Sequence, residues 1–226
     1  MKNVLITGAT SGIGWELATQ LRELDYNVFA TGRDLSKLTM LRSEFGCLCK
    51  EADLTVSSEI PDLFEDAHQR MGSVDILINN AGLNNSKCPV AEINEEDWDQ
   101  QYAVNLRAPF LLCREAMRVM QPRKQGHIIN INSTVAKTSM PNYAIYSTMK
   151  YGLMGFTQCL IKEASQHNIK VTSVHPGGTD TDFREAERPD YLRADSTAKM
   201  IIQCITTPDD VVVHDLTFRP IIESNF

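Results

Sequence analysis

The sequence predicts an α/β protein: a doubly wound, parallel sheet of about seven strands with helices on both faces, folded as one domain over residues 1–226. Three observations carry that expectation. Short β-branched runs alternate with longer segments of helical period along the whole chain. The strand candidates are apolar with little polar alternation, as parallel strands covered on both sides must be. The first of them runs into a glycine-rich turn that opens a helix.

In chain order, strands are expected at 4–7, 27–31, 76–79, 128–131 and 170–175, with a weaker one at 47–52 and a late one at 211–216. Helices are expected at 13–24, 35–45, 58–71, a long one at 95–120, and another at 142–166. Asp34 stands where it would cap the helix at 35–45. The long helices carry more apolar residues than one face needs, Leu111, Leu112 and Met117 on one and Leu153, Met154 and Phe156 on the other. That surplus is either core or an interface. The one irregular insertion is the Pro- and charge-rich stretch 183–195; the segment 182–195 reads as a loop on the substrate side.

Composition narrows the function classes. The hydrophobic fraction, 42%, is enough for one sizeable core and excludes wholesale disorder. With 22 basic and 29 acidic residues the formal charge is −7, which argues against a non-specific grip on nucleic acid or anionic membrane. No apolar run reaches membrane-spanning length, and residues 1–6 are too short a run for a signal peptide, so a cytoplasmic protein is expected. Cys47 and Cys49 have no second pair to complete a zinc site, and the five histidines show no H-x-x-x-H spacing. No metal is expected, and reduced thiols are.

The turn after the first strand reads Thr7-Gly8-Ala9-Thr10-Ser11-Gly12-Ile13-Gly14. Glycines there let backbone N–H groups approach a pyrophosphate at the positive end of the following helix. The sheet is therefore expected to be of Rossmann type. At the end of the second strand such folds place the group that meets the adenosine ribose: a carboxylate for the NAD 2′-hydroxyl, or Arg for the NADP 2′-phosphate. Here that slot holds Arg33, with Lys37 one helical turn on and no carboxylate before it. NADP(H) is favoured, and NAD(H) is the less expected cofactor.

Tyr146 and Lys150 lie four residues apart on one predicted helix and so face one way. A free phenol titrates near 10, and a neighbouring cation favours phenolate. Such a pair suits proton transfer to or from a carbonyl or alcohol oxygen. Ser133 ends the preceding strand, at the edge that faces the ligand crevice in an open α/β sheet.

In these residues the chain resembles the short, single-domain branch of the short-chain dehydrogenase/reductase family, over about residues 1–220. The motifs in register are the glycine turn, Asp53-Leu54, Asn79-Asn80-Ala81-Gly82, Asn105, Ser133, Tyr146-x-x-x-Lys150 and Pro176-Gly177-Gly178-Thr179-Asp180-Thr181. The thirteen-residue interval from Ser133 to Tyr146 also lies in the family's range. The resemblance implies that Tyr146 is the general acid or base, that Lys150 lowers its pKa and binds the nicotinamide ribose, and that Ser133 donates to the substrate oxygen. Asn105 is implied to hold a water linking Lys150 to solvent. Gly8, Thr10, Ser11, Gly12, Ile13 and Gly14 are implied to cradle the cofactor, Asp53 with Leu54 to meet its adenine, and Asn79, Ala81 and Gly82 its adenosine-side ribose. Pro176, Gly177 and Thr181 would shape the nicotinamide pocket.

Asn132 departs from the family's more usual serine before the catalytic one. Phe183, Arg184, Arg188, Tyr191 and Arg193 are the distinctive side chains of the short substrate-side loop, where three arginines either hold an acidic substrate or are solvated. His175, at a strand end, reads as a packed histidine. A small-molecule carbonyl or alcohol is the expected partner, and the resemblance implies a homodimer or homotetramer. The rival from another class is an NAD(P)-sensing protein of the same fold without turnover, which would not need Ser133, Tyr146 and Lys150 together. Sugar-nucleotide epimerases carry a large C-terminal substrate domain, for which 226 residues leave no room.

Overall fold

The computed structural model describes residues 1–183 and 188–223. The chain alternates β1 (Asn3–Thr7), α1 (Gly12–Glu23), β2 (Asn27–Gly32), α2 (Leu35–Phe45), β3 (Leu48–Glu51), α3 (Glu59–Met71) and β4 (Ile76–Asn79). It continues with α4 (Glu95–Tyr102), α5 (Ala108–Arg123), β5 (His127–Ile131), α6 (Ala144–Ser165) and β6 (Lys170–Pro176). The two-residue strands β7 (Thr179–Asp180) and β8 (Leu192–Arg193), α7 (Ala194–Ile205) and β9 (Asp215–Phe218) follow. Seven strands form one sheet in the order β3-β2-β1-β4-β5-β6-β9, every neighbouring pair parallel.

Strand periodicity explains the layers. Val4 and Ile6 of β1 face one side, where they pack with Leu17 and Leu21 of α1, Leu38 and Leu41 of α2 and Ile201 of α7. Leu5, between them, faces the other side, with Leu63 of α3, Leu112 of α5 and Leu160 of α6. Both faces are thus covered, which is why the strands read as unbroken apolar runs. At about 1.5–3 kcal/mol for each buried Leu or Ile, the two cores fix the strands and leave the loops to vary. The winding reverses between β1 and β4, so the loops after these strands diverge and open a crevice at their C-terminal ends.

Asp34 caps α2 as expected, accepting from the N–H groups of Ser36 and Lys37. The expected helix at 95–120 is instead broken by a π-helical turn at Ala103–Arg107 between α4 and α5. Pro109, near the start of α5, has no N–H to return to the Asn105 carbonyl four residues back, and the helix widens there. The late strand lies at Asp215–Phe218 rather than 211–216. Lys170 Nζ takes the Pro208 and Val211 carbonyls at 2.9 and 2.7 Å, holding that stretch as a connection. The irregular insertion ends earlier than expected: within it Leu192–Arg193 pairs as β8 with β7, which precedes it, and Ala194 and Asp195 already belong to α7, a helix the sequence reading did not place.

Gly14 illustrates how tightly α1 meets β1. A Cβ there would lie 2.1 Å from the Gly8 carbonyl oxygen and 2.5 Å from Asn80 Nδ2. Alanine for glycine inside a helix ordinarily stabilises by about 0.5–1 kcal/mol. Gly14→Ala is expected to do the opposite, lowering stability by about 1–3 kcal/mol in a urea titration, because helix and turn must separate.

Candidate active site

One cleft of about 1100 Å³ follows the C-terminal edge of the sheet. Gly8, Thr10, Ser11, Gly12 and Ile13 line it, with Arg33, Asp53, Leu54, Ala81 and Gly82. Ser133, Tyr146, Lys150, Pro176, Gly177 and Thr181 line its other end. Most of the sequence-predicted residues are therefore gathered into one crevice, by the ends of β1 to β6 and by α6. Gly14, Asn79 and Asn105 are not in its wall.

The glycine turn has the geometry of an anion cradle. Gly8 and Gly12 adopt φ of +67° and +50°, a region that side chains resist. A Cβ on Gly8 would also sit 2.8 Å from the Ala81 Cα. Ser11 ends in an extended conformation with no side-chain cap, and the first turn of α1 holds no acid. The first N–H groups of the helix are thus left for a ligand at its positive end. These features fit a dinucleotide pyrophosphate. Beside them, Arg33 lines the cleft, whereas Lys37 is drawn off over the Trp15 ring at 5.5 Å. Asp53 Oδ1 accepts from the Thr55 N–H at 2.9 Å and its hydroxyl at 2.8 Å, and these bonds hold its carboxyl below the usual range, chiefly the backbone one.

Asn79 is turned into the sheet, donating to Asn130 Oδ1 at 2.8 Å. Its neighbour Asn80 joins β4 to β1 instead, through bonds to the Thr7 and Gly8 carbonyls at 2.9 and 3.2 Å. The sequence motif holds both asparagines, but only Asn79 is singled out from it as a site residue. The signal available was the position just past a strand end, where side chains face the turn. Asn105, fully buried in the π-helical turn, donates to the Leu83 carbonyl at 2.7 Å and accepts from its N–H at 2.9 Å. It clamps the loop that follows β4.

At the reaction end, Tyr146 and Lys150 share one face of α6, with Lys150 Nζ 5.6 Å from the centre of the Tyr146 ring. Lys150 is only 3% exposed and donates to the Ile131 carbonyl at 2.9 Å. Burial pushes its ammonium down to about 8. Ser133 Oγ accepts from the Val135 N–H at 3.3 Å, so its proton can be offered elsewhere. The Phe183 ring lies 5.9 Å from that of Tyr146. Of the loop arginines, Arg188 lines the cleft, Arg193 is paired with Asp195 at 2.9 Å, and Arg184 lies outside the described residues.

All six cysteines are unpaired, and burial pushes the Cys47 thiol up to about 12. Among the described residues no cluster of His, Cys, Asp or Glu would hold a metal, and no helix is long and apolar enough to cross a membrane.

Comparison with known proteins agrees with this geometry. The sequence profile of a family described as short chain dehydrogenase matches residues 2–192. An uncharacterised oxidoreductase of Staphylococcus epidermidis is 30% identical over 228 residues, covering 97% of each chain. One from Staphylococcus aureus is 32% identical over 227 residues, again with 97% of each chain covered. Among solved structures, a metagenomic short-chain oxidoreductase in complex with NADP superposes with a TM-score of 0.86 at 30% identity, over 98% of both chains. The serine dehydrogenase from Escherichia coli gives 0.90 at 25% identity, over 98% of this chain and 99% of that one.

The buried ammonium has a cost that can be read without any substrate. Because the native state binds the Lys150 proton more weakly than the unfolded chain does, stability should rise as pH climbs from about 8 toward 10. Lys150→Met removes that penalty, so its Tm at neutral pH should exceed that of the unmodified protein by at least about 2 °C. The gap should narrow above about pH 9, and thermal melts at both pH values check it.

Proposed function

Because the chain belongs to the short-chain dehydrogenase family, and is thus an NAD(P)-dependent dehydrogenase, we propose that it prefers NADP(H) and moves hydride between the nicotinamide and a small-molecule carbonyl or secondary alcohol. The observation that carries this reading is the continuity of the cleft, in which the glycine cradle and Arg33 share one wall system with Ser133, Tyr146 and Lys150. A nucleotide sensor has no need to keep that second group beside the first.

When bound, the nicotinamide supplies or accepts the hydride; the side chains handle the rest. In the reductive direction the Tyr146 phenol gives its proton to the substrate oxygen. The Lys150 ammonium, fixed by the Ile131 carbonyl, stabilises the phenolate that remains. The Ser133 hydroxyl, held by its bond from Val135, donates to the same oxygen as negative charge develops. Gly8, Thr10, Ser11, Gly12 and Ile13 hold the pyrophosphate, with Gly14 setting how closely the helix approaches. Arg33 takes the 2′-phosphate in its planar fork. Asp53 and Leu54 border the adenine, Ala81 and Gly82 the ribose with Asn79 bracing the sheet behind them, and Pro176, Gly177 and Thr181 the nicotinamide.

Asn105 has both ends of its amide on Leu83, so a relay water to Lys150 would be held through its main chain, whose carbonyl lacks the usual donor at Pro109. The half-exposed rings of Phe110 and Tyr151, on α5 and α6, support pairing of these helices in a homodimer or homotetramer. Six unpaired cysteines favour the cytoplasm.

A panel of aldehydes and ketones that includes para-nitrobenzaldehyde, followed by NADPH absorbance, tests the activity. Tyr146→Phe should lower turnover by at least about 10²-fold while NADPH still binds; retained turnover removes the phenol from its role. Arg33→Ala should weaken NADPH by about tenfold or more and leave NADH almost unchanged, as measured by fluorescence titration. Equal responses would reduce Arg33 to a surface residue.

A further inference from the structure

Beneath Ser133 lies a buried polar group that the mechanism above does not use. His175, at the end of β6, has no exposed surface. Its Nδ1 is 3.2 Å from the main-chain carbonyl of Ser133. Its Nε2 is 2.9 Å from Ser173 Oγ and 3.3 Å from Asp215 Oδ2 on β9. Asp215 is held in turn by Lys137 Nζ at 2.7 and 2.9 Å, and that ammonium also donates to Thr217 Oγ1 at 2.7 Å. Thr217 is the register partner of His175 across the sheet. A chain of contacts therefore runs from the edge strand β9 to the backbone of Ser133.

We propose that His175 is a positioning residue for Ser133: its Nδ1–H donates to the Ser133 carbonyl and sets where the serine hydroxyl points into the cleft. The inference rests on Ser133 acting on the substrate as described above. The Ser133 carbonyl can only accept, so its bond needs the proton on Nδ1. Nε2 then accepts from the Ser173 hydroxyl, the nearer of its two contacts, while the Asp215 carboxylate, which also can only accept, draws its donors from Lys137 and Thr217. Burial and the Lys137 charge both push the imidazole below its ordinary range, the first being the larger, while Asp215 acts the other way and Lys150 adds a minor downward push. The neutral ring so favoured carries one proton, and the geometry places it on Nδ1.

A second set of bonds shows why this one contact matters. The Ser133 carbonyl also accepts from the Ala136 N–H at 3.0 Å, and the Ser133 N–H is taken by Asn132 Oδ1 at 3.1 Å. These local bonds shape the turn but share its motion. Asn132 is tied to β6 through its N–H, at 2.7 Å from the Val174 carbonyl, and His175 adds the one bond from β6 to the serine's own carbonyl, fixing the turn beyond Asn132 relative to Tyr146 and Lys150. Hydroxyl displacement of about 1 Å is enough to cost on the order of 10²-fold in turnover.

The test uses NADPH and para-nitrobenzaldehyde. His175→Leu should lower kcat by about 10- to 100-fold, with KM and NADPH affinity within about twofold of the unmodified protein. His175→Asn places an amide donor near Nδ1 and should recover most of the loss, whereas His175→Gln, whose amide mimics Nε2, should not. On a Ser133→Ala background, His175→Leu should have no added effect. Spectra of isotope-labelled histidine in the unmodified protein should show His175 as the Nδ1–H tautomer, a readout that needs neither substrate nor a variant that folds. Unchanged kcat in His175→Leu, equal losses in the Asn and Leu variants, additive losses with Ser133→Ala, or an Nε2–H tautomer would each overturn the proposal. Unchanged kcat in Ser133→Ala alone would instead overturn the role given to the serine.

Discussion

The site depends on a single buried cation. Lys150 reaches from α6 to the carbonyl of Ile131, the last residue of β5, and is almost wholly withdrawn from the surface. That bond joins the helix bearing Tyr146 to the strand that leads into Ser133. An ammonium withdrawn from water is expensive unless something beside it draws benefit from its field. Here the neighbour is a phenol one helical turn earlier, facing the cleft. On the proposed mechanism, the folded chain accepts a destabilising group where it serves the chemistry, as active sites commonly do.

What makes so exposed a crevice hold its shape is the sheet behind it. The inner strands are packed on both faces, and polar ties stitch neighbouring strand ends together: Asn80 across β1 and β4, and Asn79 to Asn130 across β4 and β5. Asn130 passes the tie to Thr157 of α6 at 2.9 Å. On the far side, His175 continues it toward β9. The cleft is built from loop ends, and the ties named here fasten those ends to neighbouring strands and to α6. The π-helical turn adds a further tie, since the widened helix presents the Asn105 amide to the backbone after β4.

Much of this was legible in the sequence because it follows from local rules. Apolar runs with a period of two or 3.6 locate strands and helices, glycines between a first strand and a helix mark a close turn suited to an anion, and Tyr146 and Lys150 share a helix face by spacing alone. What escaped was decided by single residues or by contacts distant in sequence. Pro109 breaks the long helix through a missing N–H, a signal that was present but outweighed by helical periodicity on either side. The shift of the last strand toward the C-terminus depends on Lys170 capping carbonyls at Pro208 and Val211, roughly 40 positions away, which no local window can see. Lys37 sits at the spacing expected of a phosphate ligand yet lies over the Trp15 ring, a contact between helices that its local sequence does not show. Asn79 and Asn80 differ only in which way a strand end turns them.

The most direct measurement is a crystal structure of the protein with NADP bound. A working site places the reactive carbon of the nicotinamide within about 4 Å of where a substrate oxygen bonded to Tyr146 and Ser133 would put its carbon, and Lys150 Nζ against the nicotinamide ribose. A nicotinamide ring lodged elsewhere in the cleft, or a Lys150 side chain swung out to solvent on binding, would contradict it.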